Sequence, residues 1–66
     1  MKNTMKVERA KKNLTQADLA NKIGVSRQAI NSIETGKYIP STVLALKMAK
    51  VFQTTVEEIF QLEKTD

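Results

Sequence analysis

A single residue, Val25, stands between Gly24 and Ser26, and that spacing constrains this chain more than any other feature it has. Glycine enters the left-handed backbone region at least cost and so ends helices, whereas serine satisfies free backbone N–H groups and so begins them. With one residue between stop and start, the following helix cannot continue its predecessor and must leave it at a steep angle. Two short helices on a tight turn are therefore expected, over about residues 15–35.

The same punctuation organises the rest of the chain. Thr15 followed by Asp18 predicts a capping-box start for the second helix, whose apolar stripe is Ala17, Leu19, Ala20 and Ile23. Ser26 opens the third, from Arg27 to about Thr35, with Ala29, Ile30 and Ile33 inward and Gly36 closing it. Before them, a first helix runs from about Met5 to Lys12, with Val7, Ala10 and the following Leu14 as its inward positions. Lys37-Tyr38-Ile39-Pro40 reads as a loop, since proline disfavours helix at the residue before it. Ser41 caps a fourth helix, about Thr42 to Phe52, whose Val43, Leu44, Leu46, Met48, Val51 and Phe52 cover much of its circumference and predict a central place. Thr55 and Glu58 start a short fifth helix through Phe60, with Val56, Ile59 and Phe60 as its apolar face. Leu62 to Asp66 either fray or form a short strand with the N-terminal residues. The expected fold is all-α: five helices in one compact domain over residues 1–66, with a short terminal two-stranded sheet left open.

Composition narrows the chemistry. A chain of 66 residues buries only about 60% of the surface its unfolded form exposes, so its core is thin. Cysteine, histidine and tryptophan are absent, which removes disulfide staples, thiol nucleophiles, Cys or His zinc sites and the usual general base near neutral pH. Nor is there a glycine-rich phosphate loop or an acid pair at readable spacing, so no enzyme, metal, cofactor or small-molecule ligand is expected. The longest apolar run, Val43 to Leu46, falls far short of the roughly 20 residues that cross a bilayer, and no leader is evident. A cytoplasmic protein is expected.

Eleven Lys and Arg against seven Asp and Glu leave a net charge of +4, unevenly spread. Residues 1–14 carry +4, residues 15–40 carry +1 and residues 41–66 carry −1. Such a gradient suits a protein that turns one side to a polyanion. Lys2, Asn3, Lys6, Lys11 and Lys12 fit solubility and phosphate contact equally.

The third helix carries the sharper signal. Once Ile30 and Ile33 are used for packing, its outer face presents Arg27, Gln28, Asn31, Ser32 and Thr35. Arg forks onto guanine O6 and N7, Gln or Asn pairs with adenine N6 and N7, and Ser adapts to several edges. Glu34, the one acid in that helix, is expected away from this face, where a carboxylate would repel phosphates.

The strings Leu14-Thr15-Gln16-Ala17-Asp18-Leu19-Ala20, Gly24-Val25-Ser26-Arg27-Gln28 and Ile33-Glu34-Thr35-Gly36-Lys37 resemble the Cro/C1-type, or xenobiotic-response-element type, helix-turn-helix regulators. The likeness runs from about Val7 to Phe60 and is strongest to small, effector-free members similar to the cytolysin repressor. It implies a lambda-repressor-like DNA-binding domain in a bacterial or archaeal cytoplasm, at the nucleoid. By the same resemblance, Arg27, Gln28, Asn31 and Ser32 contact bases. Gln16, Ser26, Thr35, Lys37 and Tyr38 contact the DNA backbone, and Arg9 and Glu34 form a structural ion pair. The resemblance also implies a homodimer through the C-terminal segment, with Val56, Ile59, Phe60 and Leu62 as its seam, though the same side chains could instead floor the core. Physical reasoning favours two copies independently. One recognition helix reads only about four or five base pairs, whereas two copies ~34 Å apart read both halves of a palindromic operator. The alternative is an antitoxin-like or other protein-interaction module on the same fold.

Overall fold

Every helix start predicted from a capping residue is a helix start in the computed structural model, which describes residues 1–66. The elements in order are β1 (Lys2–Asn3), α1 (Met5–Lys11), α2 (Gln16–Ile23), α3 (Arg27–Glu34), α4 (Thr42–Phe52), α5 (Val56–Ile59) and β2 (Phe60–Gln61). Thr15, Ser26, Ser41 and Thr55 each place a side-chain oxygen on the backbone N–H three residues ahead. Only Thr15 completes the reciprocal box, its own N–H donating to Asp18 Oδ2 at 3.0 Å.

The tight turn forms as the sequence requires. Gly24 takes φ +77°, and both its N–H and that of Val25 donate to the Ala20 carbonyl, closing α2 before Ser26 opens α3. Gly36 repeats the device after α3, with φ +78°. Ala20 is buried against the crossing of α2 with α3, and Val25 packs partly buried on the core.

The core is wholly apolar: Met5, Leu19, Ala20, Ile23, Ile30, Ile33, Ala45, Met48, Ala49, Phe52, Ile59 and Phe60. Each fully buried large side chain among them contributes about 1.5–3 kcal/mol, so α2 is held against both α3 and α4 by a small number of buried side chains. No helix is long and apolar enough to cross a membrane.

Several expectations about facing are corrected. In α1 the inner stripe is Met5, Glu8 and Arg9; Met5 is fully buried, whereas Val7 is 55% exposed and Ala10 is also exposed. The periodicity misleads because two of the three inward positions are charged, and Arg9 has a buried partner. Ala17 likewise faces out, on the side of α2 opposite Leu19 and Ile23. On α4 the buried stripe is Ala45, Met48, Ala49 and Phe52, while Val43 and Leu46 are 63% and 58% exposed, because nothing in one chain covers that side.

The chain ends do pair, but not with the segment expected. β1 and β2 are antiparallel, Lys2 opposite Gln61 and Asn3 opposite Phe60, so the strand is drawn from the end of the fifth helix rather than from Leu62 to Asp66. Phe60 leaves α5 for extended backbone and keeps its ring in the core. Such pairing depends on a partner at the far end of the sequence, which local pattern does not reveal.

Candidate nucleic-acid interface

The candidate face is built by burying one side of α3. Ile30 and Ile33 are anchored in the core and Ala29 is half-buried, which leaves Arg27, Gln28, Asn31 and Thr35 exposed and Ser32 half-exposed. Ser26 Oγ accepts the Ala29 N–H at 3.1 Å and fixes where the helix begins. A depression lined by no hydrophobic residue gathers Gln16, Arg27, Gln28, Asn31 and Ser32. A second depression adjoins it through Gln28 and Ser32 and adds Ser26, Ala29, Lys37 and Tyr38. The structure thus brings together every side chain expected to face DNA except Thr35.

Thr35 is committed locally. As the residue capping α3 it donates its hydroxyl to the Asn31 carbonyl at 2.9 Å, with the Ser32 carbonyl at 3.3 Å, although the side chain remains exposed. Lys37 and Tyr38 reach the face because Gly36 reverses the chain, and both their N–H groups donate to the Ser32 carbonyl.

Gln16 stands in the first turn of α2 and crosses to α3. Its Nε2 donates to Asn31 Oδ1 at 3.2 Å and approaches Glu34 Oε1 at 3.4 Å. This cross-helix bond, which the sequence did not disclose, orients the Asn31 amide. Only the register of two helices about a turn could have suggested it.

Electrostatics keep the face free of negative charge. Glu34 lines neither depression, although its Oε1 lies near the Gln16 amide, and Arg9 grips both carboxylate oxygens, the Glu34 and Arg9 side chains being 8% and 13% exposed. Hydrogen bonding to Glu34 holds the Arg9 guanidinium above its already high ordinary pKa. Asp18 lies in the capping box, where the Thr15 backbone N–H holds its carboxyl below the ordinary value of 3.8. Arg27 near one end of the face and Lys37 near the other carry no internal ion pair. Chemically the surface offers forked and amide hydrogen bonds flanked by cations, and no nucleophile or general base.

Val56, Ile59, Phe60 and Leu62 separate by depth. Ile59 and Phe60 are core residues, Val56 is half-buried and Leu62 is 82% exposed. Val56 and Phe60 share an apolar depression with Ile39, Pro40, Ala45 and Leu46.

The chain matches the helix-turn-helix family over residues 5–59. It is 59% identical over 63 residues to an HTH-type transcriptional regulator of Methanocaldococcus jannaschii, with 96% of each chain covered. It is 44% identical over 64 residues to the HTH-type regulator YgzD of Bacillus subtilis, covering 97% of each. Among solved structures, the restriction-modification controller protein C.AhdI from Aeromonas hydrophila superposes with a TM-score of 0.77 at 30% identity, over 85% of both chains. The SinR protein/SinI protein complex gives 0.78 at 25% identity, over 92% of this chain and 65% of that one.

Proposed function

The chain belongs to the Cro/C1-type helix-turn-helix family of transcriptional regulators, and from that premise we propose that it binds a palindromic operator as a homodimer and represses transcription by covering a promoter. Members of this family are regulators and not enzymes. The observation that carries the reading is the acid-free outer surface of α3, with Arg27, Gln28, Asn31 and Ser32 in one depression beside Gln16. In this reading those four α3 side chains read base edges in a major groove. Gln16, Ser26, Thr35, Lys37 and Tyr38 fix the register on the phosphates. Arg9 and Glu34 lock the end of the recognition helix. The protein works in the cytoplasm, where its operator is, and needs no cofactor or small ligand.

The second copy docks on apolar surface that one chain leaves open. Val56 lies beside exposed Leu46 and Ile39 with Phe60 in the same depression, Leu62 is exposed, and Ile59 belongs to the core. That same surface favours a second reading, a module whose partner is another protein, as SinR is solved in complex with SinI.

Affinity measured against salt separates the two. Several phosphate contacts make DNA affinity fall steeply between low and moderate salt, with a log–log slope of about −0.9 per contact. Selection of bound duplexes from a random pool then tests base preference, half-site symmetry and spacing together. Binding that ignores salt, with no duplex enriched, would overturn the regulator reading in favour of the protein partner.

A further inference from the structure

The last carbonyls of a helix lack donors within it, and α3 ends with an outside donor supplied from the start of the chain. Asn3 Nδ2 donates to the Ile33 carbonyl at 3.0 Å and to the Glu34 carbonyl at 3.3 Å. On the other side of the same amide, Asn3 Oδ1 accepts the Met5 N–H at 3.2 Å, in the first turn of α1, where Thr4 provides no side-chain cap. One side chain therefore spans the negative end of the recognition helix and the positive end of α1. Asparagine has the donor and the acceptor this needs. Aspartate, of the same shape, only accepts, and its charge opposes the α3 carbonyls.

Asn3 is itself held in place. It pairs with Phe60 in the two-stranded sheet, and the next residue, Thr4, donates its N–H to the Ile59 carbonyl at 2.8 Å and its hydroxyl to the Glu58 carbonyl at 2.9 Å. The amide thus projects from backbone that is tied down immediately beside it. Together with the Arg9 grip on Glu34, it fastens the end of α3 twice, once by side chain and once by main chain.

We infer that Asn3 is a positioning residue for base reading, setting the pose of α3 in the groove without touching DNA; the inference rests on the DNA-binding reading above. Hydrogen bonds to base edges fail when donors move by a few tenths of an ångström, whereas attraction between side-chain cations and phosphates varies little over such shifts. Loosening this end of α3 therefore lowers selectivity and leaves non-specific affinity alone.

The test compares wild type with Asn3→Asp, which keeps the acceptor for Met5, and Asn3→Ala, which keeps neither bond. The probes are the duplex that wild type itself selects from a random pool and a scrambled duplex of equal length. Binding is measured where circular dichroism shows full helicity, and Asn3→Asp carries the comparison should Asn3→Ala unfold. The expected result is a selected-to-scrambled affinity ratio about tenfold lower in the variants, the size of one lost base contact, with scrambled-duplex affinity and salt slope unchanged. A purely structural role would lower the melting temperature and leave the ratio intact. Variants as selective as a selective wild type would overturn this inference alone. A wild type that selects no duplex would overturn the functional reading and this inference with it.

Discussion

Arg9 closes on Glu34 as a fork: Nε lies 2.5 Å from Oε2 and Nη2 lies 3.0 Å from Oε1, while Nη1 reaches the Leu14 carbonyl at 2.9 Å. Three elements meet in that grip: α1, the segment before α2, and the end of α3. Because both side chains are sheltered, removing one leaves the other charge poorly solvated. Arg9→Met is expected to destabilise the fold by about 3 kcal/mol in urea denaturation, and the double variant Arg9→Met/Glu34→Leu to recover most of that loss. A loss of less than about 1 kcal/mol would mean the pair behaves like any surface pair.

Acid should weaken the cap of α2. Thr15 holds the Asp18 carboxyl below 3.8 in the folded chain, whereas the unfolded chain takes up that proton near 3.8. Unfolding then binds a proton the native state refuses, so this contribution is full above 3.8 and is lost as pH falls through the folded value. Asp18→Asn should be less stable than wild type at neutral pH, with the gap narrowing in acid. Parallel pH–stability curves for the two proteins would contradict this. Thr15→Ala, which removes the hydroxyl acceptor, should cost about 1 kcal/mol at neutral pH.

Backbone strain can be tested in both directions. A Cβ added at Gly24 meets nothing within 4 Å, so Gly24→Ala should suffer only from its φ of +77°, a loss of about 1 kcal/mol. Gln53, which caps α4 at φ +57°, is not a glycine, and Gln53→Gly should therefore gain up to about 1 kcal/mol despite losing its bond from Lys12. Thermal melts of the two variants moving the same way would refute the conformational argument.

On the recognition face, Gln28 and Lys37 should fail differently. Gln28→Ala is expected to relax base preference by about 1–3 kcal/mol at one position of each half-site. Lys37→Ala should weaken all duplexes alike and reduce the salt slope by about one. Equal losses on selected and scrambled duplexes for both variants would erase this division.

Self-association should depend on the exposed side of α4 and on α5. Leu46→Glu and Val56→Asp place charge on half-buried or exposed positions, so the monomer should stay folded while sedimentation shifts from dimer toward monomer. A wild type that sediments as a monomer, with and without selected duplex, would remove the dimer altogether.

Local chemistry made most of this fold legible. The caps at Thr15, Ser26, Ser41 and Thr55 and the glycine stops at Gly24 and Gly36 act on their own neighbours, and each holds in the structure. Facing was legible only where the buried partner is also apolar. The inward Arg9 and the uncovered Val43 and Leu46 broke the pattern, because periodicity registers hydrophobicity and not the presence of a neighbour. The recognition face emerged from subtraction, once Ile30 and Ile33 were assigned to the core. Gln16 on Asn31 and Asn3 on the end of α3 link residues 15 and 30 apart, and no short-range signal marks them.

The small sheet also orders events during synthesis. Helices α2 and α3 are neighbours in sequence and can dock as soon as both are made, whereas the Thr4 contact to Glu58 closes a loop of 54 residues. Until Phe60 and Gln61 have emerged from the ribosome, β1 has no strand to pair with and Asn3 has no fixed base from which to hold α3. A nascent chain therefore carries the α2–α3 pair before the end of α3 is fastened, and partial products gain its shape without its rigidity.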